Sequence, residues 1–170
     1  MQEYISKAIV LKKQQTGDLD NRYTLFTERF GKIVVNAKSA RKITSKLAGH
    51  LEPGIVTNVR IIEKNGLRIA DSLKERVLDI SINNLSLLSD ILPEWENDLA
   101  VWNFLISKKF DWVTMLKILG WDPYYAECAE CGSKDVSCFY TKTQDFFCSS
   151  CKGKKFKNNK FIFENLVQFN

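Results

Sequence analysis

The sequence predicts an α+β protein in which a five-stranded β-barrel precedes a small helical domain that carries a four-cysteine motif. Up to Ala70, apolar residues alternate with polar ones or form short β-branched runs, as they do in strands. From Asp71 to Gly120 the apolar residues recur at helical spacing. Two Cys-x-x-Cys pairs follow, Cys128–Cys131 and Cys148–Cys151, separated by sixteen residues.

The first three strands are predicted between turn signals. Tyr4–Lys13 is apolar and ends at the turn-like cluster of residues 14–18. Arg22–Thr27 and Lys32–Ala37 have the pattern of a hairpin that closes near Gly31.

A basic segment follows the third strand, and we expect in it one short helix that begins at Thr44 or Ser45 and ends at Gly49. Ile55–Glu63 and Leu67–Ala70 are then predicted as strands around an Asn-Gly turn, the strongest short hairpin signal. Five strands with a short helix after the third are the order of an OB-type Greek-key barrel. The grooved face of that fold commonly holds single-stranded nucleic acid.

Three helices are predicted after the barrel. The first ends before Pro93, the second begins at Asp98, and the third contains Trp112 and ends near Gly120. We therefore expect four segments: the OB-type barrel in 1–72, a short helical domain in 73–127, the four-cysteine motif in 128–151 and a basic C-terminal segment in 152–170. Within the last segment, Phe161–Phe163 reads as an edge strand or a helix start.

The four paired cysteines predict one structural zinc ion. Two tight turns can aim Cys128, Cys131, Cys148 and Cys151 at one point, and four thiolates leave no position for a water or a substrate. Disulfides, a redox pair and an iron site are the alternatives. The fifth cysteine, Cys138, is expected to pack as a small apolar side chain.

Charge is uneven along the chain. Residues 1–70 carry thirteen Lys and Arg against six acids, whereas the chain as a whole has a net charge of +5. This excess of positive charge predicts that the N-terminal region binds a polyanion. The predicted phosphate contacts are Lys38, Arg41, Lys42 and Lys46, with Arg22, Lys32, Arg60 and Arg68 as a second group.

Three aromatic residues of the barrel, Tyr23, Phe26 and Phe30, are candidates for stacking on bases. A barrel this small also needs large side chains inside it. We therefore expect at least two of the three to fill the interior.

No Walker loop, no G-x-S-x-G and no dinucleotide fingerprint is present, so we expect no enzyme activity. His50-Leu-Glu52 and a later Cys-x-x-Cys resemble the zinc nucleobase deaminases, but Glu127 stands where their proline would be. An RNA-binding or transcription/translation adaptor with the same two parts is a further alternative. Neither a signal peptide nor a membrane span is visible, so a cytoplasmic, nucleoid-associated protein with reduced thiols is expected.

The order of several motifs resembles the bacterial recombination mediator family RecO. They are Ala8-Ile-Val-Leu-Lys12, Thr16-Gly17-Asp18, Leu25-Phe-Thr-Glu-Arg-Phe-Gly31, Leu47-Ala-Gly-His-Leu-Glu-Pro53, Asn65-Gly-Leu67 and Leu116-Lys-Ile-Leu-Gly-Trp-Asp-Pro123 leading into Cys128-Ala-Glu-Cys-Gly132. The resemblance covers roughly residues 4–72 and 110–151. The helical region before the cysteines is shorter here than is general in that family.

The resemblance implies a DNA-repair protein that binds single- and double-stranded DNA, anneals complementary strands and helps to load recombinase onto coated single strands. It also implies RecR and single-strand binding protein as partners, through the helical region. None of these activities breaks a covalent bond.

Overall fold

Five strands close into a barrel in the computed structural model, which describes residues 2–16, 19–38, 47–107, 109–156 and 165–169. The strands are β1 (Gln2–Thr16), β2 (Asp20–Thr27), β3 (Gly31–Ala37), β4 (Ile55–Glu63) and β5 (Leu67–Val77). Their order around the barrel is β1-β2-β3-β5-β4, and β1 closes it by pairing with β4. The predicted α+β class with an N-terminal five-stranded, OB-type barrel is confirmed.

The interior of the barrel is filled by alternate residues of each strand, because successive side chains of a strand point to opposite faces. Ala8 and Val10 of β1 face Tyr23 and Leu25 of β2 in one apolar cluster. The same cluster holds Ile33, Val35, Ala37, Leu51, Ile55, Val59, Ile61 and Ile69. Some residues between them, including Ile9, Phe26 and Val56, are also buried, so only part of the outer face of the barrel is available for binding.

The β4–β5 turn is formed by Asn65 and Gly66, with φ values of 52° and 105°. Two consecutive positive φ values are typical of the tight hairpin turn that Asn-Gly favours. Strand β5 runs seven residues beyond the predicted end at Ala70, because β4 supplies partners as far as the pair Ile55–Val77. Only Ala48–His50, a single 3-10 turn, is described of the predicted short helix, and residues 39–46 lie outside the described part.

All three predicted helices are confirmed as α1 (Ile82–Ile91), α2 (Leu99–Ser107) and α3 (Trp112–Ile118). A side-chain oxygen caps each helix start: Ser81 accepts from the N–H of Asn84, Asp98 from that of Val101 and Asp111 from that of Thr114. Such caps satisfy N–H groups that have no partner within the helix.

Helix α1 is fastened to the barrel by two lysines. The Nζ of Lys12 lies 2.6 Å from Oδ1 of Asp90, and the Nζ of Lys32 donates to the carbonyl of Ser89 at 2.9 Å. Leu85 and Leu88 are buried beneath them. Lys32 therefore has a structural partner on α1.

The chain divides into two compact units, Met1–Trp102 and Asn103–Asn170. In the second unit a three-stranded sheet has the order β7-β6-β8. Its strands are β6 (Cys138–Tyr140), β7 (Asp145–Phe147) and β8 (Leu166–Gln168), and helix α4 (Ser149–Phe156) follows β7. The sequence did not predict α4 or β8, and the predicted Phe161–Phe163 element lies outside the described residues.

None of the described helices combines the length and the apolar content that crossing a membrane requires. The division into four segments remains a prediction.

Candidate metal centre and nucleic-acid interface

Four cysteine sulfurs come together in the second unit. The Sγ atoms of Cys128, Cys131, Cys148 and Cys151 all lie within 4.8 Å of one another, and those of Cys131 and Cys148 are 3.8 Å apart. A tetrahedral ion with Zn–S bonds of about 2.3 Å holds its sulfurs about 3.8 Å from one another. The separations therefore fit a four-thiolate metal site, and all five cysteines are free of disulfides.

The first Cys-x-x-Cys pair sits on a tight turn. The N–H of Gly132 donates to the carbonyl of Cys128 at 2.8 Å, and the N–H of Cys128 donates to the carbonyl of Ser133 at 2.8 Å. Gly132 has a φ of 70°, which glycine adopts without a steric penalty. The turn is tied to the sheet by the N–H of Ala129, which donates to the carbonyl of Phe146 at 2.9 Å.

The second pair sits at the start of α4. Cys148 directly precedes the helix, and its Sγ accepts the N–H of Cys151 at 3.4 Å. Cys148 thus takes the place of a capping residue while its sulfur faces the other three. One pair lies on a turn and the other at a helix start, and these two local structures bring their four sulfurs to one point.

Protonation differs among the thiols. Burial raises the pKa of Cys128, but backbone N–H groups of Cys148, Glu130 and Cys131 donate to its sulfur and lower the pKa from 9.0 to about 6. Hydrogen bonds with the sulfurs of Cys131 and Cys148 raise the pKa of Cys151 to about 12. The backbone N–H groups thus favour a thiolate at Cys128, the protonation state that a metal ligand needs.

The thiol of Cys131 also titrates above its ordinary range. The N–H of Ser133 lowers the pKa of Cys131, but hydrogen bonds with the sulfurs of Cys128 and Cys148 contribute to a net increase. A metal ion must therefore displace protons from Cys131 and from Cys151.

Cys138, expected to pack as a small apolar side chain, and His50 of the deaminase alternative have other contacts. Cys138 is fully buried in the apolar cluster of the second unit, where its Sγ lies 3.7 Å from the carbonyl of Phe147. The Nδ1 of His50 accepts the backbone N–H of Lys74 at 3.0 Å. Among the described residues, the metal-competent group contains the four paired cysteines alone.

The barrel brings three of the predicted basic residues to one outer face. Arg22 of β2 pairs with Asn36 of β3, and Asn36 pairs with Arg68 of β5, so the three residues form one row across the strands. Lys38 follows two residues after Asn36, immediately beyond the end of β3, and is exposed. We call Arg22, Asn36, Lys38 and Arg68 the basic row.

Among the described residues, no carboxylate forms an ion pair with this row. Within the described part of the chain, neither an ion pair nor a side-chain hydrogen bond involves Arg22, Lys38 or Arg68. Three cations without local partners are free to attract phosphates.

The other described residues that were predicted to contact phosphates, Lys32 and Arg60, have partners within the protein. Lys32 donates to the carbonyl of Ser89, as described above. Arg60 lies on the β1–β4–β5 face, where Nη1 is 3.6 Å from Oε1 of Glu3 and Asp71 is its strand partner. Neither residue belongs to the basic row. Arg41, Lys42 and Lys46 lie outside the described residues.

The aromatic candidates for base stacking are largely inside. Tyr23 and Phe26 are fully buried, so stacking on bases is wrong for them. Phe30 is half-buried, and its ring meets that of Tyr4 edge-on at 5.4 Å. Of the three, Tyr23 alone is a fully buried member of the barrel core, because Phe26 points to the other face of β2 and packs against Trp102 with ring centroids 6.2 Å apart, so the expectation that at least two fill the interior is not confirmed.

Sequence reasoning found Arg22, Lys38 and Arg68 but did not group them. Their proximity depends on β3 pairing with β5 in parallel, a contact between strands that are not consecutive. No local pattern signals that pairing.

Comparison with known proteins shows what the chain is similar to. Residues 1–74 match the family described as "Recombination protein O N terminal". A protein named "DNA repair protein RecO" from Caldanaerobacter subterraneus is 28% identical, and the match covers 92% of this chain and 76% of that protein. A protein of the same name from Dehalococcoides mccartyi strain BAV1 is 25% identical, and the match covers 88% of this chain and 70% of that protein. Another from Shouchella clausii is 27% identical, with 85% of this chain and 67% of that protein covered.

Proposed function

We propose that this chain, whose residues 1–74 match the family model of the Recombination protein O N-terminal region, is a DNA-binding mediator of repair and recombination. A repair or recombination role is supported by the names of its relatives. The finer activities proposed here are binding of single- and double-stranded DNA, annealing of complementary strands and help in recombinase loading. The observation that carries the DNA-binding proposal is the basic row without carboxylate partners.

Phosphate contact explains why this surface suits both forms of DNA. The row offers two guanidinium groups and one ammonium group, which pair with phosphate oxygens whatever the base sequence. Lys38 also leads into the basic segment that holds Arg41, Lys42 and Lys46. A surface of this kind binds through charge, so its affinity depends on salt more than on sequence.

The same surface leaves the bases exposed. The outward-facing residues of β2 and β3 around the row include Thr24 and Val34, and among the described residues of these two strands the large aromatic side chains Tyr23 and Phe26 are buried. A strand held by its phosphates keeps its base edges available for pairing. This arrangement supports annealing, because a protein that neutralises two strands without stacking their bases lowers their repulsion and does not compete with pairing.

The four-cysteine centre has a structural role in this proposal. Its residues fit one zinc ion, and the ion would supply folding energy to a small unit with a limited core. Four thiolates leave no coordination site open for a substrate. We accordingly propose that the protein is not an enzyme, that it acts in the cytoplasm on nucleoid DNA, and that RecR and single-strand binding protein are its candidate partners.

The deciding experiment is annealing of labelled complementary strands by the full chain. We expect the wild-type protein to accelerate pairing at low salt, and the triple variant Lys38→Gln/Arg41→Gln/Lys42→Gln to lose most of the acceleration. The double variant Arg22→Gln/Arg68→Gln should weaken single-strand binding about 25-fold at roughly 0.1 M salt, since each phosphate contact contributes about 0.7 to the salt slope.

Arg60→Gln is the matched control, because it removes one arginine from the same barrel at a site already paired with Glu3. We expect less than a twofold change in single-strand binding for this variant. Equal losses for Arg60→Gln and for the basic-row variant would contradict the assignment of the surface. Preference for RNA over DNA of equal length, without annealing, would instead support an RNA-binding adaptor.

A further inference from the structure

We propose that helix α4, which carries the fourth cysteine of the metal centre, is a second phosphate-binding surface for the nucleic acid. This inference rests on the proposed DNA-binding function and adds a contact in the second unit. It concerns three lysines on α4, Lys152, Lys154 and Lys155, and the depression beside them.

The charge of α4 has one sign. Its sequence, Ser-Ser-Cys-Lys-Gly-Lys-Lys-Phe, contains three lysines and no acid. Lys152 donates to the neutral side-chain oxygen of Gln168 at 2.8 Å and not to a carboxylate. Among the described residues Lys154 is exposed and has neither an ion pair nor a hydrogen bond. Lys155 alone is paired with a carboxylate, that of Glu130.

A depression of about 270 Å³ opens beside the helix. It is lined by Glu130, Cys151, Lys154 and Lys155. Its volume exceeds the roughly 30 Å³ share of a water molecule in the liquid several-fold, so it has room for a phosphate group. The basic side chains at its rim supply donors for the phosphate oxygens.

The helix is held firmly enough to present these charges. Phe156 at its end is buried, with its ring 5.2 Å from that of Tyr140 and 5.4 Å from that of Phe147. Cys148 and Cys151 hold the other end at the metal centre. Lysines on a fixed helix lose less freedom on binding than lysines on an unstructured segment.

An alternative role for these lysines is to balance the metal centre, since a zinc ion with four thiolates carries a net charge of about −2. Lys155 suits that role, because its Nζ lies 4.7 Å from the centroid of the Phe147 ring and is paired with Glu130 beside the centre. Lys154 has no such attachment. The two roles can therefore be separated by substituting Lys154 and Lys152 while keeping Lys155.

The test measures single-stranded DNA binding by the full, metal-loaded chain over a range of salt, using an unstructured oligonucleotide. We expect Lys154→Gln to weaken binding about fivefold at roughly 0.1 M salt, and Lys152→Gln/Lys154→Gln to make the log-log salt slope shallower by about 1.4. Glutamine has nearly the helix propensity of lysine, so α4 is retained. Lys109→Gln is the matched control, an exposed lysine of the same unit outside α4 for which no ion pair is found among the described residues.

Metal content is measured on every variant and should stay equal to that of the wild type. Loss of metal from the Lys152→Gln/Lys154→Gln variant would overturn the proposal in favour of charge balance. Wild-type affinity in that variant, while Arg22→Gln/Arg68→Gln is impaired, would overturn it and leave the proposed function standing. Failure of the wild-type chain to bind DNA at low salt would contradict both the role of α4 and the proposed DNA-binding function.

Discussion

The backbone at Gly31 lies where no side chain fits. Its φ is 68°, and an added Cβ would sit 1.9 Å from the carbonyl oxygen of Glu96. The segment that contains Glu96 is held on the β2–β3 turn by the N–H of Trp95, which donates to the carbonyl of Lys32 at 2.9 Å. Glycine at this position therefore permits both the turn and the close approach of a second segment.

We expect Gly31→Ala to lower the free energy of unfolding by about 2–5 kcal/mol, from the left-handed backbone and from displacement of the Glu96 carbonyl. Gly66→Ala is the comparison, since Gly66 has a φ of 105° and nothing within 4 Å of an added Cβ. It should cost only about 1–2 kcal/mol. Chemical denaturation of both variants measures the difference, and equal losses would contradict the steric account.

The raised pKa values of two of the thiols predict that metal binding releases protons. At pH 8 the Cys128 thiol, with its pKa of about 6, is already ionised, whereas the raised pKa values of Cys131 and Cys151 keep those thiols protonated. Metal uptake should release the protons of both, so affinity rises with pH. Calorimetric titration with zinc in buffers of different ionisation enthalpy measures the protons, and release of none would refute the ligand assignment.

At the scale of elements, α4 and the residue before it combine a helix cap, a candidate metal ligand and a buried aromatic contact. It begins at the capping sulfur of Cys148, carries the ligand Cys151 in its first turn, and ends on the buried ring of Phe156. A helix this short is unstable alone, because forming its first turn fixes several residues for a single hydrogen bond. We expect the metal centre and the Phe156 contacts to maintain it.

Cys148→Ser separates ligation from capping, because serine is a good capping residue but a poor zinc ligand. We expect lower metal content and a lower unfolding temperature, with DNA binding reduced only as far as folded protein is lost. Thermal unfolding and metal analysis make the measurement. Cys138→Ser is the control outside the four-sulfur group and should keep its metal; loss of DNA binding by fully folded Cys148→Ser would contradict a structural role.

At the scale of the whole molecule, the basic row and α4 are two positively charged surfaces of the described residues. The row lies on the barrel unit and α4 lies in the unit Asn103–Asn170. If both surfaces contact phosphates as proposed, the chain holds a strand through many weak contacts, each dependent on ionic strength.

We expect the affinity of the full chain for single-stranded DNA to fall with salt at a log-log slope of roughly −3 to −5, as for four to six neutralised phosphates. Fluorescence anisotropy with a labelled oligonucleotide between low and moderate salt measures the slope. Binding that is insensitive to salt would argue against phosphate contact on either surface.

The extent to which the sequence predicted this molecule depended on the range of the interaction. Asn65-Gly66, Pro93 and Gly120 act within a few positions of themselves, and the hairpin and the helix ends they predict are present. The end of β5 was wrong by seven residues because β4, and not local preference, supplies the partners of residues 71–77. Helix α4 was missed because its stability comes from Cys148 and Phe156 rather than from apolar periodicity.

The spacing of the cysteines was sufficient to predict a shared metal site, since each Cys-x-x-Cys pair is local and two pairs supply four ligands. The order of the strands and their turns was likewise sufficient for the barrel. Three observations required the folded structure. Arg22 and Arg68 lie in one row, Lys32 donates to the carbonyl of Ser89, and Arg60 pairs with Glu3. Those contacts join residues far apart in sequence, and only closure of the barrel and packing of α1 against it bring them within reach of one another.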